Sequence, residues 1–107
     1  MRALYKAPTD DKFHQLNIPN DLHVLQELVG GYIETHTFTT DCCVICNEEG
    51  RLLGLPHNCE VCGVDFVGDI VFVGVKGEEF ADLPLSYGQM KLLFRGLWDN
   101  ETASEGE

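Results

Sequence analysis

Two Cys-x-x-Cys pairs occupy the middle of this chain, Cys43 with Cys46 and Cys59 with Cys62. Four thiolates at this spacing can close a tetrahedron around one Zn²⁺ ion, and few other arrangements require it. Gly63 follows the second pair, and a glycine there lets backbone amides turn toward the sulfur atoms and share their negative charge. The pattern therefore predicts a structural zinc site whose ligands are Cys43, Cys46, Cys59 and Cys62.

Three other interpretations of the cysteines compete with zinc. A disulfide framework fits poorly, because the chain has 5 cysteines and residues 1–8 show neither the apolar core nor the cleavage-like site of an export signal. A redox dithiol needs its first cysteine at a helix N-terminus, whereas residues 63–75 have the composition of a turn and a strand. The cysteines could also be small core residues.

Strand geometry raises an objection to the four-cysteine site. If residues 42–46 form a plain strand, the side chains of Cys43 and Cys46 point to opposite faces and need a bulge to share a metal. Cys42 could then replace Cys43 as a ligand, and His57 could replace one of the later cysteines. The sequence leaves these ligand sets open.

No set of residues has the spacing of a catalytic site. A zinc ion with four cysteine ligands has no open position for water, which favours a structural role. The zinc deaminase signature is incomplete, because His-x-Glu is missing and Pro56 does not directly precede Cys59. A Gly-rich phosphate loop and a nucleophile elbow are also missing from the sequence. We therefore expect that the protein is not an enzyme.

The elements that must position these cysteines are mostly extended. Strands are predicted over residues 2–7, 13–18 and 32–38, followed by a hairpin whose turn is residues 47–50. Residues 69–75 are apolar on both faces of the predicted strand, so we expect this strand to be central in its sheet.

Two helices are predicted beside the strands. The first begins after Pro19 with Asn20 as its N-cap and ends at Gly30. The second follows a capping box at residues 86–89 and has the apolar stripe Met90, Leu93, Phe94 and Leu97. The fold class is therefore α+β: a four- to five-stranded, mainly antiparallel sheet with two helices and a structural zinc knuckle. Residues 1–98 form the single domain, and residues 99–107 form an acidic, flexible tail.

The charge balance of the chain limits its partners. Against 18 acidic residues there are 7 Lys and Arg residues, which gives a formal net charge of −11. Direct nucleic-acid binding would need clustered Lys and Arg, and here they are scattered. An acidic surface suits a protein partner with a basic surface, although acidity alone also confers solubility. Since no apolar run is long enough to span a membrane, a reducing cytoplasm is the expected compartment.

Two acidic pairs are the predicted partner-binding residues. Glu48 with Glu49 and Glu78 with Glu79 both fall in turns, which project side chains outward. Apolar anchors such as Phe94 or Trp98 are the alternative, although these have the pattern of core residues.

Three segments resemble a small uncharacterised domain family carried by phages and conjugative elements of gut Firmicutes. They are residues 25–34, 45–51 and 54–58, of which Cys-Asn-Glu-Glu-Gly and Leu-Pro-x-Asn are the most specific, and the resemblance covers residues 1–97. The chain also resembles zinc-containing anti-CRISPR proteins of such elements. This implies a non-enzymatic inhibitor that binds a type II CRISPR effector nuclease in a bacterial cytoplasm and impedes target-DNA loading or cleavage. The alternative is a zinc-stabilised regulatory or adaptor protein of a phage or mobile element that binds another host protein.

Overall fold

The structure is a computed structural model that describes residues 1–84 and residue 89. Within these residues the chain forms one helix and eight strands. In chain order they are β1 (Arg2–Lys6), β2 (His14–Asn17), α1 (Leu22–Val29), β3 (Ile33–Thr39), β4 (Cys42–Asn47), β5 (His57–Val61), β6 (Val64–Val67), β7 (Ile70–Lys76) and β8 (Glu79–Ala81).

Six of the strands form one sheet in which every pairing is antiparallel. The order is β2-β1-β7-β4-β3, and β8 pairs with β7. Strand β7 lies in the middle, and residues 70–74 are buried, which confirms the predicted central strand. The mainly antiparallel sheet is also confirmed, and with one helix beside it in the described residues the fold is α+β or mainly β. The sheet has more strands than the predicted four or five, because β8 adds a short strand beside β7.

A separate two-stranded hairpin, β5–β6, covers one face of the sheet, and helix α1 covers the other. On the helix side, Leu25 and Val29 share a core cluster with Ile45 and the valines of β7. On the hairpin side, Val61 and Phe66 share a core cluster with Phe72. Because both faces are covered, all six residues of β4 are buried.

Helix α1 begins one residue later than the sequence predicts. The side chain of Asp21 accepts the hydrogen bond from the backbone N–H of His23 at 2.8 Å, so Asp21 is the N-cap. Asn20 is used elsewhere, since its Nδ2 donates to the carbonyl of Phe80 at 2.8 Å. Gly30 ends the helix with a φ of 79°, as predicted from its position.

The predicted hairpin turn at residues 47–50 is instead the start of an irregular loop, residues 48–55. Within it the amide of Leu53 donates to the carbonyl of Glu49 at 2.9 Å, and the amide of Leu55 donates to the carbonyl of Gly50 at 3.0 Å. Gly50 is required for close packing, because a Cβ there would lie 2.9 Å from Cγ2 of Val67. Gly50, which the sequence places in a hairpin turn, is therefore needed because the loop backbone packs against β6 at this point.

The predicted zinc knuckle is not formed as a distinct element of the described residues. Cys59 lies in β5, and Cys62 with Gly63 forms the tight turn to β6, with φ values of 51° and 84°. The second predicted helix and the predicted tail lie outside the described residues. Over residues 1–84 and 89, no helix is long and apolar enough to cross a membrane.

Candidate functional site

The pairing of β3 with β4 brings three potential metal ligands together. Glu34 is directly opposite Cys46 in the antiparallel register, and His36 lies two residues further along β3 on the same face. The Nε2 atom of His36 is 2.7 Å from a carboxylate oxygen of Glu34. We call these three residues the Glu-His-Cys cluster.

The hairpin holds the imidazole of this cluster in place. The ring of Phe66 meets the ring of His36 edge to face, with centroids 5.2 Å apart and an angle of 88° between the planes. Phe66 is buried, so the imidazole of His36 packs against a side chain that is itself held in the core. The cluster opens into a cleft of about 170 Å³ that is also lined by Arg51 and Asp65.

The electrostatic surroundings of Cys46 differ from those of its neighbours in the cluster. Cys46 is only 7% exposed, whereas the side chains of Glu34 and His36 are 43% and 36% exposed. Burial, with a smaller effect of the Glu34 carboxylate, raises the pKa of the Cys46 thiol to about 11, although Arg51 opposes this shift. Without a cation, Cys46 is therefore a neutral thiol.

The donor atoms of the Glu-His-Cys cluster all lie within 4.8 Å of one another. The three side chains could therefore hold a metal ion. Over residues 1–84 and 89, no other group of three or more His, Cys, Asp and Glu side chains comes this close together.

The four cysteines predicted as zinc ligands are divided among three places. Cys43 belongs to the core cluster on the helix side, whereas Cys46 and Cys59 belong to the cluster on the hairpin side. Cys62 is exposed at the tip of the hairpin. Cys43 and Cys46 pair with β3 without a bulge between them, so their side chains point to opposite faces. The structure brings only Cys46 of the four into the Glu-His-Cys cluster.

Cys42 and His57, the two alternative zinc ligands, also lie outside the Glu-His-Cys cluster. Cys42 is buried in the core cluster on the hairpin side, and burial raises the pKa of its thiol. His57 is exposed, with its Nε2 atom 2.7 Å from a carboxylate oxygen of Asp65. The sequence predicts that His36 lies in a strand, but no local pattern links it to Cys46. The two-residue spacing of Glu34 and His36 was the signal, since alternate residues of a strand share a face.

The first predicted acidic pair stands between two clefts. Glu48 and Glu49 are exposed at the start of loop 48–55, where the amide of Glu49 donates to Oδ1 of Asn47 at 2.7 Å. Glu48 lines the cleft of the Glu-His-Cys cluster, and Glu49 lines a second cleft beside the end of α1. The pair is therefore exposed as expected, although it lies in this loop and not in a hairpin turn.

Large apolar side chains accompany this pair. Leu52 and Leu53 are 87% and 58% exposed, and Tyr32 is 68% exposed. Tyr32 and Leu53 line the second cleft together with Glu49, whereas Leu52 lines the first with Glu48. We call Tyr32, Glu48, Glu49, Leu52 and Leu53 the loop surface.

The second predicted acidic pair lies at the opposite end of α1. Glu78 and Glu79 are exposed where β7 turns into β8, and they line a cleft together with Leu22 of the first helical turn. The eight residues of α1 span about 12 Å between the two ends. Phe94 and Trp98, the alternative anchors, lie outside the described residues.

Comparison with known proteins identifies a family for the chain. A model of a domain of unknown function, DUF3846, matches residues 1–95, so the chain belongs to that family. The predicted membership of an uncharacterised domain family is therefore confirmed. Neither the curated proteins nor the solved structures include a match to the chain.

Proposed function

We propose that this member of the DUF3846 family is a non-enzymatic binding protein that docks onto a basic protein partner through the loop surface. The observation that carries the proposal is the exposure of three large apolar side chains, Tyr32, Leu52 and Leu53, beside two exposed carboxylates. Exposed apolar groups rimmed by charge are typical of protein interaction sites.

The charges determine which kind of partner fits. Glu48 and Glu49 add negative charge to a chain whose net charge is already −11, so a basic surface would be attracted from a distance and oriented. Tyr and Leu side chains would then supply the apolar contact, since rim charges affect association rates more than affinity.

Glu78 and Glu79 extend the proposed interface. They stand on the helix side of the sheet, at the end of α1 opposite Glu49. A partner lying along α1 would meet Glu49 at one end and this pair at the other, across about 12 Å, the length of eight helical residues. We assign them a supporting role, because Leu22 is the single large, clearly exposed apolar residue of the described cleft beside them.

In its narrower form, the proposal identifies the partner as a type II CRISPR effector nuclease. Such nucleases hold the guide and the target strand in positively charged channels, which an acidic domain could occupy or distort. Binding would impede target-DNA loading or cleavage in the cytoplasm of a bacterial host. The alternative is a regulatory or adaptor protein of a phage or mobile element that binds another host protein through the same surface.

Binding to a purified, guide-loaded type II effector tests the narrower form directly. We expect a complex in a pull-down at moderate salt and protection of the target DNA from cleavage. If there is neither a complex nor protection, the effector is not the partner. A complex that forms with the effector but leaves cleavage unchanged would contradict inhibition.

Charge reversal then tests the surface. The double variant Glu48→Lys/Glu49→Lys should weaken the complex, and more so at low salt than at high salt. Asp11→Lys/Glu60→Lys is a matched control, because it makes the same change in net charge at two exposed positions away from the loop surface. Leu52→Ser/Leu53→Ser should weaken binding at both salt concentrations. Equal losses in the acidic variant and its control would show that only net charge matters.

A further inference from the structure

The Glu-His-Cys cluster offers three kinds of donor atom in one cleft: a carboxylate oxygen, an imidazole nitrogen and a sulfur. Zn²⁺ accepts all three in proteins. Mg²⁺ and Ca²⁺ prefer oxygen ligands alone, and Cu(I) prefers sulfur. The mixed set therefore favours Zn²⁺ over Mg²⁺, Ca²⁺ and Cu(I).

The charge of the cluster also matches a divalent ion. A Glu34 carboxylate and a Cys46 thiolate supply two negative charges, and a neutral His36 supplies none. A bound Zn²⁺ would therefore form a site without net charge, whereas four cysteine thiolates would leave two negative charges around the metal. A neutral site is less costly beside a buried side chain such as Cys46.

The fold holds the donors close to the required separation before any metal binds. Metal–ligand distances of about 2.0–2.3 Å place neighbouring donors in a tetrahedral zinc site about 3–4 Å apart. The present donors lie within 4.8 Å of one another. Strand pairing determines the positions of Glu34 and Cys46, and Phe66 supports the ring of His36. Nε2 of His36 and the carboxylate oxygen of Glu34 are 2.7 Å apart, so on metal binding these two donors must move slightly apart.

The geometry points to a Zn²⁺ site formed by Glu34, His36 and Cys46, with the fourth coordination position open to the cleft. The cleft measures about 170 Å³, and a water molecule in the liquid occupies about 30 Å³, so there is room for water or a small anion beside the metal. Arg51 lines the same cleft together with the carboxylates of Glu48 and Asp65, so the charges around the open position do not select an anion over water. The assignment does not rest on the proposed docking function, although Glu48 and Leu52 of the loop surface line the same cleft.

Metal analysis of the purified full chain tests the assignment. We expect one equivalent of Zn²⁺ and a weakening of at least about tenfold in His36→Asn and in Glu34→Gln, since each loses a ligand. The Co²⁺-substituted chain should show thiolate-to-metal charge-transfer absorption, and this absorption should disappear in Cys46→Ser. Because Cys46 is buried and its variant can lose stability, the two more exposed ligands carry the test, with circular dichroism to confirm folding.

Cys62→Ser is the matched control, because it removes an exposed thiol that belongs to the four-cysteine set and not to this cluster. Zinc should be retained in Cys62→Ser and in Cys43→Ser. If zinc is lost from these variants but retained in His36→Asn, the metal is held by the paired cysteines and our assignment is wrong. A purified chain that binds no Zn²⁺ would also overturn it.

Azide tests the open position. Added to the Co²⁺ protein, it should shift the visible absorption bands of the metal, because an anion can enter the coordination sphere from the cleft. Unchanged bands at high azide concentration would refute this part of the proposal.

Discussion

Replacing Asn58 with alanine should destabilise the chain severely, because this amide supports a buried lysine. Lys6 is only 3% exposed, and its Nζ atom donates to Oδ1 of Asn58 at 2.8 Å and to the carbonyl of Ala7 at 3.4 Å. Within the described residues, no carboxylate forms an ion pair with Lys6. The amide of Asn58 is therefore the main partner of a buried ammonium group.

Asn58 also joins the hairpin to the sheet. Its Nδ2 atom donates to the carbonyl of Lys6 at 2.9 Å and to the carbonyl of Gly68 at 2.8 Å. Neutral hydrogen bonds contribute about 0.5–1.5 kcal/mol each and one to a charged group about 1.5–3 kcal/mol. The three bonds sum to about 2.5–6 kcal/mol, and leaving a buried charge unpaired costs about 3–5 kcal/mol. We therefore expect Asn58→Ala to lose about 3–5 kcal/mol, a large part of the net stability of a small domain.

Urea unfolding followed by circular dichroism measures this loss, and Lys6→Met provides the control. Lys6→Met removes the charge and leaves one neutral acceptor unpaired, which costs about 1–3 kcal/mol. In that background Asn58→Ala should cost about 2 kcal/mol less than in the wild type, because no buried charge is stranded. Equal costs in both backgrounds would refute the coupling between Lys6 and Asn58. A loss below about 1 kcal/mol in Asn58→Ala itself would refute the whole network.

Two further perturbations test the packing and the electrostatics of the fold. Gly74→Ala should lower the free energy of unfolding in urea by more than about 3 kcal/mol, because its Cβ would lie 2.0 Å from the carbonyl oxygen of Asp82. The control Gly77→Ala, with a φ of 66° and open space around the added Cβ, should lower it by about 1 kcal/mol. Similar losses in the two variants would contradict the close approach at Gly74. Burial raises the pKa of the Tyr5 hydroxyl to about 12, with a smaller effect of its hydrogen bond to Asp69. In the unfolded chain this pKa is about 10, so the unfolded chain loses the proton first as the pH rises. The free energy of unfolding should therefore fall between about pH 10 and 12 by up to about 2 kcal/mol; Tyr5→Phe should lack this component, and parallel pH profiles would refute it.

Elements with a strong local pattern could be predicted from the sequence. The apolar run at residues 69–75 has the composition of a central strand, and β7 is buried between its neighbours. The Leu and Val spacing before Gly30 predicts α1, whose Leu25 and Val29 are buried. In both elements the apolar residues recur at the spacing that places them on the faces buried in the core.

Elements that depend on a distant partner could not be predicted in this way. Strands β5 and β6 have only five and four residues, and the composition of their cysteine-rich segment predicts a zinc knuckle instead. Strand β8 has three residues and is defined by its pairing with β7. The N-cap moved to Asp21 because Asn20 bonds to Phe80, at a separation of 60 residues. Local composition does not contain such tertiary bonds.

The candidate metal cluster shows the same limit more clearly. Cysteine spacing can suggest a ligand set, but which side chains converge depends on strand register. A shift of one residue between β3 and β4 would move Glu34 away from Cys46. The register is maintained by burial of β4 on both faces, which involves residues from most of the described chain.

The two candidate sites meet on one strand, and this determines how their tests must be separated. Along the end of β4, Cys46 faces the hairpin side, Asn47 donates through Nδ2 to the carbonyl of Val29 on the helix side at 3.1 Å, and Glu48 begins loop 48–55. A change at Cys46 can therefore disturb the loop surface without any role of metal in docking. His36 and Glu34 lie across the pairing on β3, so their variants can remove zinc while leaving the base of the loop intact. If His36→Asn releases zinc and the partner still binds with unchanged affinity, the metal site and the docking surface are separate functions of one fold. If both are lost together while the chain remains folded, the metal acts on docking, either through the β3–β4 pairing or through the cleft that Glu48 and Leu52 also line.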